Sequence, residues 1–124
     1  MDLSYPKREK LKSKKIIDQL FVEGKSITHF PLKLIYLETP LPEGLKLQVG
    51  VAVSKKRFKN AVKRNRVKRL LRESYRVHKN KVTDHSKSSY AFLILYLGKK
   101  MPTHAVVDKQ LQYLLDKFNA QENA

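Results

Sequence analysis

The sequence predicts a single small α+β domain, an α/β sandwich in which helices cover a sheet. Three observations carry that prediction. Apolar residues make up 41% of the 124 and charged residues 31%, which is enough apolar material for one packed core and too much for a disordered basic tail. Two stretches, 30–37 and 90–97, are strand-length apolar runs, whereas three others repeat their apolar residues at helical spacing. No internal repeat or low-complexity linker divides the chain, so residues 1–124 read as one unit, with 1–10 and 119–124 as candidate disordered tails.

The elements follow in order. Ser13 can cap a helix whose apolar residues Ile16, Ile17, Leu20 and Phe21 share one face, and Gly24 is a natural stop. From Phe30 to Leu37 the chain is strand-like, then Pro40, Pro42, Glu43 and Gly44 form a turn before an apolar stretch from Leu45 to Val53. Two neighbouring antiparallel strands fit that loop. Between Val62 and Lys79 the apolar residues fall at helical intervals, Lys79 to Ser89 reads as a loop, and Tyr90 to Leu97 is a buried strand ended by Gly98. Pro102-Thr103 opens a last helix with Val107, Leu111, Leu114, Leu115 and Phe118 on one face. The expected order is helix, two or three strands, helix, strand, helix.

The chain has 27 Lys plus Arg against 11 Asp plus Glu, a formal charge of +16. There is no cysteine, which excludes a disulfide scaffold, a thiolate zinc site and a cysteine nucleophile, and makes a cytoplasmic home the default. The start carries no apolar signal region, and no apolar run approaches the ~18 residues of a membrane span. The positive charge therefore points to an anionic partner in solution, with nucleic acid the leading class. Its distribution is uneven: residues 55–81 hold thirteen basic residues and one acid, a net +12. A smaller cluster comprises Lys7, Arg8, Lys10, Lys12, Lys14 and Lys15.

Counting from Val62 at about 100° per residue, Val67, Leu70, Leu71, Ser74, Val77 and His78 span about 60° to 180° of the helix. Arg64, Asn65, Lys68, Arg69, Arg72, Arg76 and Lys79 fall between about 200° and 340°, so one face suits a core and the other is a cationic ridge. Glu73 can pair with Arg69 but cannot neutralise the ridge. The plainer reading is a solvated helix face. Such faces mix signs, however, whereas like charges stacked along one side repel unless a partner compensates them. A membrane-surface helix would use Trp or Phe on its apolar side, and none is there. DNA is not expected, because no helix-turn-helix pair, zinc pattern or zipper heptad is visible.

A protein nuclease would need clustered carboxylates for metal ions or a histidine pair for acid-base work. His29, His78, His85 and His104 are scattered, Asp18 and Glu23 point to different sides of the first helix, and the four glycines form no phosphate loop. No catalytic residue and no protein-borne metal site is expected.

The run Val53-Ser54-Lys55-Lys56, followed by Asn60-Ala61-Val62-Lys63-Arg64-Asn65-Arg66-Val67-Lys68-Arg69-Leu70-Leu71-Arg72-Glu73, resembles the signature of the bacterial ribonuclease P protein family. Upstream, Lys12 to Ser26 is similar to that family's first helix and the glycine after it, and the later strand and last helix agree in outline. Where the family often has a glycine between Lys-Lys and Ala-Val, this chain has Arg57-Phe58-Lys59.

The resemblance implies a mixed four-stranded sheet with elements in order α-β-β-β-α-β-α and a left-handed βαβ crossover, an exception to the usual hand. It implies an RNA-binding subunit whose partner, the catalytic ribonuclease P RNA, uses magnesium to remove the 5′ leader of precursor tRNA. The RNA-binding residues it implies are Lys55, Lys56, Arg57, Asn60, Lys63, Arg64, Asn65, Arg66, Lys68, Arg69, Arg72 and Arg76. It implies a leader cleft between the first helix and the sheet, built from Lys12, Ile17, Phe21 and the more weakly indicated Tyr36. Phe21 on an apolar helix face has a core reading beside this one, and an aromatic often stands in the family where Ile17 stands here. Two other classes remain: a structural RNA-binding protein such as a small ribosomal component, and a self-sufficient nuclease, disfavoured by the missing site.

Overall fold

The structure, a computed structural model, describes residues 5–122. Helix α1 spans Lys14–Glu23, β1 Lys25–His29, β2 Leu32–Glu38, β3 Leu47–Val53, α2 Ala61–His78, the one-turn α3 Asn80–Thr83, β4 Tyr90–Tyr96 and α4 His104–Glu122. The helix starts are those their capping residues dictate. Ser13 Oγ accepts from the Ile16 N–H, Asn60 Oδ1 from the Lys63 N–H and Thr103 Oγ1 from the Val106 N–H, each satisfying a donor with no partner inside the helix. Gly24 ends α1 at an ordinary φ. Its role is close approach, because a Cβ there would collide with the Leu20 carbonyl and lie 2.8 Å from Ile35 Cγ2.

The strand order is β1-β2-β4-β3. Strands β1 and β2, then β2 and β4, pair antiparallel, whereas β3 runs parallel to β4. This corrects the expectation that the two strands flanking the Pro40–Gly44 turn are neighbours: β4 lies between them. A parallel pair needs a crossover, and α2 with α3 supplies it, taking part of the segment expected as loop from Lys79 onward.

Strand alternation sorts the sheet into two unlike faces. On one, Tyr36, Tyr90, Phe92, Ile94 and Val49 pack under α2 and α4 with Val67, Leu71, Tyr75, Leu111 and Phe118. On the other, Ile35, Ala91 and Leu93 pack under α1 with Leu20 and Leu11. Asp108 of α4 fastens the two helices of the first face, its Oδ1 accepting from Ser74 Oγ at 3.0 Å and lying 2.7 Å from His78 Nε2. Burial alone would raise the Asp108 pKa, but the hydrogen bonds from His78 and Ser74 prevail and hold it below the usual carboxylate value.

Two expectations change here. The buried side of α2 includes Tyr75, which lies at 1% exposure, while Val77 is 43% exposed, so the helix is rolled toward its tyrosine relative to the face read from aliphatic residues. Residues 5–10 and 119–122, read as tails, belong to the fold. The 119–122 segment is the end of α4. Tyr5 stacks edge-on against Tyr75 and its hydroxyl donates to the Val49 carbonyl. Glu9 pairs with the buried Lys79 at 2.9 Å, and Lys10 bridges to Val49 on β3. Residues 1–4 and 123–124, the remainder of those tails, lie outside the described residues.

Candidate nucleic-acid interface

With α2 rolled toward Tyr75, the outward side of the helix carries Asn65, Arg66, Arg69 and Arg72, all exposed, with Arg76 half-buried among them and Lys68 half-buried at the margin; Lys63, on the stripe of Val67 and Ser74, is also exposed in the first turn. Glu73 is exposed on the same side and pairs with Arg76 at 3.1 Å rather than with Arg69. One acid among these cations leaves a strongly positive strip, and its arginines present planar donors suited to phosphate oxygens. Arg64 stands apart from them. It is half-buried, and its Nη1 donates to the Phe58 and Lys59 carbonyls at 2.7 and 2.9 Å, tying the approach loop to the first turn of α2.

The loop from Ser54 to Asn60 turns on Ser54. Its carbonyl accepts from the Arg57 and Phe58 N–H groups, and its Oγ accepts from the Lys56 N–H. Lys55, Lys56, Arg57, Lys59 and Asn60 are exposed around this turn. Phe58 points inward at 5% exposure and meets the Tyr96 ring at 5.9 Å between centroids. Arg57 Nη1 donates to the Leu97 carbonyl at 2.7 Å. The Arg57-Phe58-Lys59 stretch, which departs from the glycine common in the family signature, is thus anchored by one ring in the core and one guanidinium on β4's exit.

A groove of about 270 Å³ runs between the end of α1 and the sheet, lined by Leu20, Phe21, Gly24, Ser26, Lys33, Ile35, Leu95 and Leu97. Phe21 is 61% exposed, which removes it from the core. Ile17, one turn before it, is half-buried against the cluster of Leu20 and Ile35, and Lys12 is exposed just ahead of the Ser13 cap. Ile17 and Phe21 therefore stand on one flank of α1 beside the groove. The groove's Leu97 is the residue whose carbonyl holds Arg57, so groove and basic loop adjoin.

Tyr36 is the correction. The strand register turns Ile35 toward α1 and Tyr36 toward α4, where its ring meets Phe118 at 4.9 Å and its hydroxyl donates to Glu122 at 3.0 Å. Burial, reinforced by the Glu122 carboxylate, pushes its pKa up to about 12. It lies at 2% exposure on the face opposite the groove, because a one-residue difference in a strand reverses the side. Sequence reasoning missed Lys33, which supplies the groove's cation from β2. Its signal was present: a lone lysine in an apolar run sits where a sheet face is not sealed.

Among the described residues, no group of three or more His, Cys, Asp or Glu side chains is placed to hold a metal ion, and no helix is long and apolar enough to cross a membrane. His78, the histidine on α2, is engaged with Asp108 between the helices.

Comparison with known proteins agrees with this geometry. The family model described as ribonuclease P matches residues 5–119. The chain is 35% identical over 109 residues to a ribonuclease P protein component of Porphyromonas gingivalis, covering 86% of this chain and 80% of that protein. It is 33% identical to the corresponding protein of Chlorobium phaeobacteroides, covering 96% and 90%. Among solved structures, it superposes on the RNase P protein of Staphylococcus aureus with a TM-score of 0.72 at 22% identity, covering 89% and 94% of the two chains. For the RNase P protein from Thermotoga maritima the TM-score is 0.71 at 22% identity, with 88% and 96% covered, which supports the same α+β fold. The mixed sheet, the one-sided basic helix with its Arg-Asn-Arg core and these matches together place the chain in the ribonuclease P protein family.

Proposed function

We propose that this chain is the RNA-binding subunit of a ribonuclease P ribonucleoprotein that removes the 5′ leader of precursor tRNA. In this reading the outward side of α2 and the Ser54–Asn60 loop bind the catalytic RNA and the region of the cleavage site. The α1 groove takes the single-stranded leader, Phe21 offering a stacking face and Lys12 and Lys33 compensating phosphates. The observation that carries it is the junction of two surfaces: a cationic helix for structured RNA adjoins a half-apolar groove with an exposed aromatic through the Arg57 contact to Leu97.

Hydrolysis belongs in this reading to the RNA and the magnesium ions it holds. The described residues of this chain form no cluster that fits a metal, and its part is to bind and orient. Its proposed place is the cytoplasm, with those RNAs. The test is reconstitution with the cognate catalytic RNA at low magnesium. Addition of the protein is expected to accelerate cleavage of precursor tRNA, and an unchanged rate would refute the assignment. Cosedimentation with ribosomes in place of the ribonuclease P RNA would favour a structural ribosomal component.

A further inference from the structure

A second cavity, of about 380 Å³, lies at the same end of the sheet and is lined by Phe30, Pro31, Arg57, Tyr96, Gly98, Lys99 and Lys100. Its floor is tied from several directions. The Leu97 N–H donates to the Pro31 carbonyl at 2.7 Å, and the Tyr96 hydroxyl donates to the Lys100 carbonyl at 2.6 Å, folding the β4 exit back over the ring. Gly98 lies so close to that phenol that a Cβ would collide with its hydroxyl, so no larger residue fits without reopening the loop. Phe30, by contrast, is 68% exposed on the cavity's wall. A largely exposed aromatic ring beside a proline, rimmed by three cations with no acid among the lining residues, is the equipment of a base-stacking site on a phosphate-bearing chain.

Its position names the occupant. Leu95 and Leu97 line the α1 groove, whereas Tyr96 and Gly98, alternating with them, line this cavity on the other side. On β2 and its turn, Lys33 belongs to the groove and Pro31 to the cavity. The two depressions lie back to back around one end of the sheet, and Arg57 bridges to the exit strand between them. We propose that the Phe30 cavity is a nucleobase subsite. It takes one unstacked base of the single-stranded leader as that strand leaves the groove, with Arg57, Lys99 and Lys100 along its phosphates. The proposal rests on the groove being a leader site, and adds a second stacking station beyond it.

The test uses the full chain assembled with its catalytic RNA and two labelled precursor tRNAs, with leaders of about three and about ten nucleotides, below and within the usual span of single-strand sites. Phe30→Ala is expected to weaken binding of the long-leader precursor about tenfold and to leave the short-leader precursor within about twofold, while Phe30→Trp retains the parent affinity. The Lys99→Ala/Lys100→Ala double variant, both side chains being exposed, is expected to flatten the salt dependence for the long leader by up to about 1.4 in log-log slope. If Phe21→Ala abolishes the preference for the long leader and Phe30→Ala leaves it intact, the subsite is refuted and the groove stands. If neither variant alters the preference, both readings fall. If Phe30→Ala converts a dimer to a monomer in sedimentation velocity without changing leader binding, the cavity is a self-association face and the proposal is overturned.

Discussion

One face of the sheet lies under two helices and the other under one, and the side chains differ accordingly. Beneath α2 and α4, Tyr36, Tyr90 and Phe92 all meet Phe118 edge-on, with centroids 4.8 to 5.0 Å away, and the layer is closed to solvent. Beneath α1, the strands contribute Ser26, Lys33, Gln48, Gly50, Ala52 and Ala91 beside Ile35, Leu37, Leu93 and Leu95. A ten-residue helix cannot cover four strands, and this face keeps a groove and an exposed phenylalanine. Cohesion is concentrated on one side, which leaves the other free to hold an aromatic ring where a partner can reach it.

The sharpest way to break that contrast is to exchange the rings' fates. Phe118→Ala is expected to destabilise the protein by about 3–5 kcal/mol in chemical unfolding, while the folded fraction keeps its affinity for leader. Phe21→Ala should do the reverse: stability within about 0.5 kcal/mol of the parent, and about 1–3 kcal/mol lost from binding precursor, with mature tRNA unaffected. A large loss of stability from Phe21→Ala would return that ring to the core. Tyr36→Phe tests the side assignment more finely. Removing the hydroxyl that meets Glu122 is expected to cost about 1 kcal/mol of stability and nothing in leader affinity, and a selective affinity loss would put Tyr36 back in the groove.

The smallest effect separates the two sides of α2. On the catalytic RNA, Arg72→Ala should flatten the dependence of log affinity on log salt by up to about 0.9, as expected of a side chain facing phosphate. Arg64→Ala should flatten it less and lower the melting temperature, because its guanidinium holds the Phe58 and Lys59 carbonyls. Equal slopes and equal melting temperatures for the two variants would erase the distinction between ridge and loop anchor.

What could be read from the chain beforehand was what is encoded locally. The cap Ser13, the Pro102-Thr103 start of the last helix and the apolar repeats of α1 and α4 need only their neighbours, and each stands where the spacing places it. The cationic side of α2 was legible for the same reason, except that Arg64 turns to the carbonyls of the approach loop and Lys79 is buried against Glu9. The strand order was not, because the pairing of β3 with β4 joins segments separated by the whole basic helix, and no local pattern records which strand inserts between two others. Strand β1 offers only Ile27 inward between polar residues, as an edge strand can, and so carries little apolar signal. Tyr75 escaped because an amphipathic residue leaves its side undeclared until Tyr5 arrives from the N-terminal segment to pack against it. Tyr36 shows the cost of a register uncertain by one residue.

The N-terminal segment has a consequence for how this molecule coexists with its own copies. Strand β3 is one of the two outer strands of the sheet, seven residues long and mostly apolar, the kind of open edge on which a second chain can add a strand. Lys10 and Leu11 occupy part of that edge through the bridge to Val49 and the Leu11 N–H to its carbonyl, and Tyr5 and the Glu9–Lys79 pair hold them there. The segment works as a sheath against edge-to-edge association, its lysines adding repulsion between copies. That safeguard is folded into residues that look, by composition, like a loose basic tail.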